Sequence, residues 1–209
     1  MHQLLIFLKG VAVGLAIAAP VGPVGILCIR RTLHQGAPVG LASGLGAACA
    51  DALYGAVAGF GLTSVASFLL AFQGTLRLLG GAFLAVLGVR ILARPAAGDE
   101  PAAAPAQARL AGAFGSCFLL TLTNPATILS FVAVFAGLGL VEHLAGYAAA
   151  LSLVAGVFAG SALWWFALSG AVGLLRGRMS APSLRWVNRI AGAVILGFGL
   201  AVLGFAALA

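Results

Sequence analysis

The chain has 209 residues, of which 63% are hydrophobic and 7% charged, with a net charge of +7. A water-soluble domain carries about a quarter of its residues as charged side chains, so this composition excludes one. The basic excess does not point to nucleic acid either, because the arginines lie between apolar runs and form no stripe interleaved with aromatics. Apolar runs near or above the roughly 20 residues that cross a bilayer as a helix recur instead. The reading is an all-α polytopic membrane protein with the lipid bilayer as its first partner, a single transmembrane domain over 1–209 with six spans near 4–29, 39–62, 66–93, 110–138, 144–174 and 186–207.

The first run, MHQLLIFLKGVAVGLAIAAP, resembles a signal peptide in length. Its one early basic residue, Lys9, sits inside the apolar run, and that run continues past the prolines, so it reads as the first span. Residues 18–31 then read A-A-P-V-G-P-V-G-I-L-C-I-R-R. A helical proline donates no N–H and clashes with the carbonyl four residues back. Pro20 and Pro23 therefore free the carbonyls of Ala16 and Ala19. Freed carbonyls survive at membrane depth only where they are buried in protein or face a watery cavity. The half-helix ends carry partial charges that attract ions and zwitterions, and Gly22 and Gly25 leave room for close approach. Arg30 and Arg31 are explained by orientation alone. The alternative is that the helix continues past them and that Arg30 lines a cytoplasmic vestibule.

Span 2 contains Asp51 within A-C-A-D-A-L-Y-G, roughly 18 Å along the helix from Val39. A carboxylate at that depth is expensive and is functional by default. It is expected to accept a proton, to bind a coupling cation or to anchor a substrate ammonium. The structural alternative is an ion pair with Arg77 or Lys9. The small residues Gly44, Ala48 and Gly55 share its face and allow close packing.

After span 3 the segment R-P-A-A-G-D-E-P-A-A-A-P-A-Q-A-R separates a first half, 1–94, from a second half, 109–209, through an Ala/Pro-rich linker at 95–108. Three spans per half invert the second half relative to the first, as in transporters built on inverted repeats. Span 4 supports this. Its N-P-A-T-I-L at 124–129 aligns with G-P-V-G-I-L at 22–27, pairing Pro125 with Pro23. Pro125 frees the carbonyl of Thr121, and Asn124 offers an amide beside it. Thr and Ser often bond back to their own helix, which is the reading for Ser130.

In span 5, Trp164 and Trp165 lie deep, where packing is the ordinary role and a gate formed by Trp164 the functional one. Gly156-x-x-x-Gly160 is a helix-packing pattern that also admits a homodimer. Arginines cluster around the loops after spans 1, 3 and 5, so these loops are cytoplasmic and both termini face out of the cell membrane. Lys9 and Arg77 reach the opposite side by snorkelling. Cys28, Cys49 and Cys117 form no C-x-x-C pair and read as small packing residues, so no cofactor and no metal is expected.

At P-V-G-P-V-G-I-L-C-I-R-R, G-L-G-A-A-C-A-D-A-L-Y-G and L-T-N-P-A-T-I-L-S-F the chain resembles the LysE/RhtB family of amino-acid exporters, and the likeness covers its whole length. The resemblance implies a secondary transporter, not an enzyme, that exports amino acids or related small metabolites and uses the proton gradient. It places Pro20, Gly22, Pro23, Asp51, Asn124 and Pro125 in the transport core, with Thr121 beside them. The chain departs from many members at Val24, where a polar residue follows the second proline. The alternatives are a divalent-metal or other cation exporter and a passive channel of the same architecture.

Overall fold

The computed structural model describes residues 2–20, 22–60, 71–93, 105–124, 127–128, 130–131 and 146–207. Among the described residues there are seven helices and no strand. They are α1 (His2–Ala18), α2 (Pro23–Gln35), α3 (Ala37–Gly59), α4 (Gln73–Ala93), α5 (Ala106–Thr123), α6 (Tyr147–Arg176) and α7 (Ala181–Ala207).

Four helices are long and apolar enough to cross a membrane on their own: α3, α4, α6 and α7. The pair α1 and α2, bent by 81°, makes a fifth if counted as one span. Helix α5, with Gln107 and Arg109 in its first turn, is not among them. The structure thus supports a multi-pass helical protein with four to five clear spans.

The first span breaks where the prolines stand. The last bond of α1 runs from Ala19 N–H to the Leu15 carbonyl, and α2 opens with Ile26 N–H donating to the Gly22 carbonyl. The sequence reading placed Arg30 and Arg31 in a loop. The structure corrects this: α2 carries both and continues to Gln35. Gly36 then turns the chain within a single residue, at a φ of 99° that favours glycine, and its N–H caps the Thr32 carbonyl. Pro38 follows in the first turn of α3, where a missing N–H costs nothing.

The outside and inside of the bundle are reversed relative to a soluble protein. Leu79, Phe166, Leu174 and Trp186 are exposed, whereas Thr32, Ser43, Asp51, Thr121, Ser161 and Asn188 are buried. That arrangement suits a hydrocarbon solvent, which rewards no apolar burial and forces polar groups to find partners inside.

Close contact comes from glycine. Helix α1 lies against α6 through Gly10 and Gly14 on one side and Gly156 and Gly160 on the other; a Cβ at any of the four would collide with the facing backbone. The Gly156–Gly160 pattern is therefore used within the chain, against α1. Helix α4 packs on α7 in the same way through Gly81, Gly88 and Gly199. Helix α3 is central and packs on both α5 and α6, while α2 bridges α3, α6 and α7.

Candidate functional site

A cavity of about 460 Å³ lies where the break between α1 and α2, the middle of α3 and the end of α5 converge. Pro20, Gly22 and Pro23 line it from the break, Asp51 from α3, and Thr121 and Asn124 from α5. Six of the residues singled out in the sequence are thus brought together from three separate stretches. Pro125 lies outside the described residues.

Asp51 is 3% exposed. Its carboxylate Oδ2 accepts a hydrogen bond of 2.7 Å from Ser161 Oγ on α6. Trp165, one turn further along α6, donates from Nε1 to Ser161 Oγ at 3.2 Å. Among the described residues Asp51 makes no ion pair, so the structural alternative of a bond to Lys9 or Arg77 is not realised there. A carboxylate at a helix centre in a bilayer costs about 3 kcal/mol to insert. An interhelical hydrogen bond in a bilayer returns about 0.6 kcal/mol on average. One serine does not offset that cost.

Thr121 is also 3% exposed, and among the described residues its hydroxyl has no hydrogen-bond partner. Asn124 caps α5: its N–H reaches the Thr121 carbonyl at 3.3 Å, and its side-chain Nδ2 donates to Thr127 Oγ1 at 3.1 Å. Tyr54, three residues after Asp51, donates from its hydroxyl to the Leu122 carbonyl at 2.6 Å and ties α3 to the last turn of α5.

The remaining wall is apolar. Ile17, Val24 and Ala47 contribute to it, Trp165 covers one side, and Phe198, Val202 and Phe205 of α7 close another. Gly44 lets the Trp165 ring lie directly on α3, because a Cβ there would meet the indole. Of the two adjacent tryptophans it is Trp165 that faces the cavity; Trp164 is half-buried against the neighbouring apolar core. Ser130, read as an ordinary helix residue, stands on the cavity wall. Among the described residues no three His, Cys, Asp or Glu side chains come together to hold a metal ion.

Arg30 is not on the cavity. Its Nε donates to Asn188 Oδ1 at 2.7 Å, and Asn188 Nδ2 passes the connection to the Ile91 carbonyl at 2.8 Å. Arg31 is held more tightly. One terminal nitrogen reaches Ser43 Oγ at 2.8 Å, the Ala113 carbonyl at 3.1 Å and Cys117 Sγ at 3.5 Å; the other reaches Ser116 Oγ at 2.8 Å. These arginines do more than mark a membrane side, since they join α2 to α3, α5 and α7.

The sequence reading missed Ser161, Tyr54 and the α7 wall. Ser161 carried a usable signal, a lone hydroxyl beside Gly160 in the middle of a long apolar span. Nothing in the sequence pointed to Phe198, Val202 and Phe205, which are ordinary apolar residues of an apolar helix.

The family description "LysE type translocator" matches residues 15–204. The chain belongs to the LysE type translocator family. This is a family of transporters rather than enzymes, and the translocator is accordingly a multi-pass membrane protein. It is 29% identical over 198 residues to the "Putative amino acid efflux protein YcgF" of Bacillus subtilis (strain 168), an alignment covering 93% of each chain. No solved structure matches it.

Proposed function

We propose that the protein exports amino acids or related small metabolites across the cell membrane as a secondary transporter coupled to the proton gradient. The observation that carries this is the convergence of a broken helix, a capped helix end and a buried carboxylate on one cavity. Broken helices around a central site are how many secondary transporters hold a solute. Asp51 is the carrier of the coupling proton, alternating between ionised and neutral forms, with Ser161 donating to the ionised form. The similarity to a protein named for amino acid efflux supports the direction.

Support for two opposed halves comes from the helix pairing. Exchanging the halves turns the α1–α6 contact into the α5–α3 contact, and the α3–α6 and α4–α7 contacts map onto themselves; the counterpart of α2 would begin at Pro125, outside the described residues. Alternating access is then a rocking of one half on the other about the cavity. The arginine distribution supports an orientation in which both termini face outward.

The test is transport in proteoliposomes carrying an imposed pH gradient, after a resistance screen against inhibitory amino acids and analogues has identified a solute. The wild type is expected to drive that solute uphill, and Asp51→Asn to lose uphill export. Uphill export by the Asn variant would remove Asp51 from the coupling step.

A further inference from the structure

On the reading of this cavity as an amino-acid export site, we propose that its substrate is a neutral α-amino acid with an apolar side chain. Its ammonium faces Asp51, and its carboxylate sits at the N-terminus of α2 beside the Thr121 hydroxyl.

The charges on the wall set the problem. Asp51 is the one ionisable side chain among the described residues that line the cavity, and no Lys, Arg or His joins it. The ammonium end of a zwitterion has an evident partner; the carboxylate end has no cationic side chain. What the wall offers instead is the start of a 13-residue helix. Pro23 brings no N–H, but those of Val24 and Gly25 in the first turn have no acceptor within their own helix, and the helix dipole places about half a positive charge there. Gly22 caps α2 with no side-chain hydrogen bond.

Thr121 is the second, independent sign. Two buried hydroxyls elsewhere in the bundle bond back to a carbonyl of their own helix, Thr32 to Cys28 and Ser43 to Val39, and Ser161 donates to Asp51; Ser169 is buried and unpaired like Thr121 but does not line the cavity. Thr121 has the same opportunity and does not take it, so its buried Oγ1 is left unpaired on the cavity wall. An unpaired buried hydroxyl is costly unless a ligand completes it. Gly22 agrees with this. Its φ of −105° suits any residue and a Cβ on it would meet nothing within 4 Å, so neither backbone nor packing calls for glycine. What its small size secures is open approach to the helix end.

The rest of the wall selects the side chain. Trp165, Val24, Phe198, Val202 and Phe205 offer an apolar surface. A lysine or arginine side chain would strand a second cation there, and an aspartate or glutamate side chain a second anion, both heavily penalised in such surroundings. A volume of about 460 Å³ leaves room for a branched or aromatic side chain.

The experiment is counterflow of radiolabelled L-leucine into proteoliposomes, with five competitors: L-phenylalanine, L-lysine, L-glutamate, isoamylamine (leucine without its carboxylate) and 4-methylpentanoate (leucine without its ammonium). L-Leucine is expected to exchange and L-phenylalanine to compete. The charged amino acids and the two single-ended analogues should be at least about tenfold weaker. Thr121→Val and Gly22→Val should each raise the half-saturating leucine concentration about tenfold while leaving the weak inhibition by isoamylamine unchanged. Thr121→Ser should restore leucine affinity, which separates a lost hydroxyl from a lost fold. Equal competition by isoamylamine and leucine would overturn the carboxylate site. Exchange of lysine or glutamate but not leucine would overturn the substrate class and leave amino-acid export standing. Exchange of no amino acid at all would overturn the export reading, and this one with it.

Discussion

Two polar regions lie within this apolar bundle, and they are built on opposite principles. Around Arg31 both terminal nitrogens of the guanidinium meet partners, from Ser43, Ser116, Cys117 and the Ala113 carbonyl. Around the cavity, among the described residues, Asp51 has a single donor in Ser161 and Thr121 has none. Both regions join the two halves of the chain, and both would be expensive in lipid if left open. The difference shows how a polar residue in a membrane bundle is to be read. A saturated one holds helices together, and an unsaturated one beside a cavity holds a place for something else. Charge alone would have ranked them the other way, since two adjacent arginines draw more attention than one aspartate.

Substitutions can sharpen or break this contrast. The largest effect on function is expected at Asp51→Asn, which should abolish uphill export while leaving the melting temperature of the purified protein unchanged or higher. A large fall in melting temperature would instead make Asp51 part of the scaffold. Arg31→Leu should do the reverse, lowering stability by about 2–3 kcal/mol while substrate affinity below the melting point stays near wild type. Thermal unfolding in detergent, read beside a transport assay, checks both, and a loss of affinity without a loss of stability would move Arg31 into the pathway.

Ser161→Ala removes the one donor to Asp51 among the described residues and frees Trp165 Nε1. About 1–2 kcal/mol of stabilisation of the ionised carboxylate should be lost, visible as a shifted pH dependence of exchange with little change in folding. The smallest effect is expected at Tyr54→Phe, which deletes the bond from α3 to the Leu122 carbonyl. A loss of about 0.6 kcal/mol is the average for such bonds between membrane helices, measurable as a small drop in melting temperature with export retained.

Much of the cavity was legible in the sequence because its key residues are chemically improbable where they stand. Prolines inside an apolar run, a carboxylate at mid-span and an Asn-Pro in the other half each break the rule of their surroundings. That is why Pro20, Gly22, Pro23, Asp51, Thr121 and Asn124 could be named before their convergence was known. The role of Arg31 was misjudged for the opposite reason: a rule satisfied by arginines in general, cytoplasmic placement, hid a specific use. Its partners Ser43, Ser116 and Cys117 are spread over some 75 positions of sequence, 43 to 117, and no spacing links them. Cys28 and Cys117 illustrate the same limit, since each reads as a small packing residue while the fold sets the two thiols side by side across the halves.

Composition and pattern by themselves determined that this chain is a helical membrane protein, where its first helix breaks and which carboxylate lies within. These follow from local physics: hydrocarbon excludes charge, and proline cannot continue a helix. Tertiary structure alone decided which faces meet. It put Gly10 and Gly14 against Gly156 and Gly160, chose Trp165 over Trp164 for the cavity, and brought Phe198, Val202 and Phe205 of α7 to the wall of the cavity that Asp51 lines. Glycines, tryptophans and phenylalanines carry no address in an apolar sequence, because lipid and protein interior reward them alike. Only close packing between particular helices, residue against residue, tells one from the next.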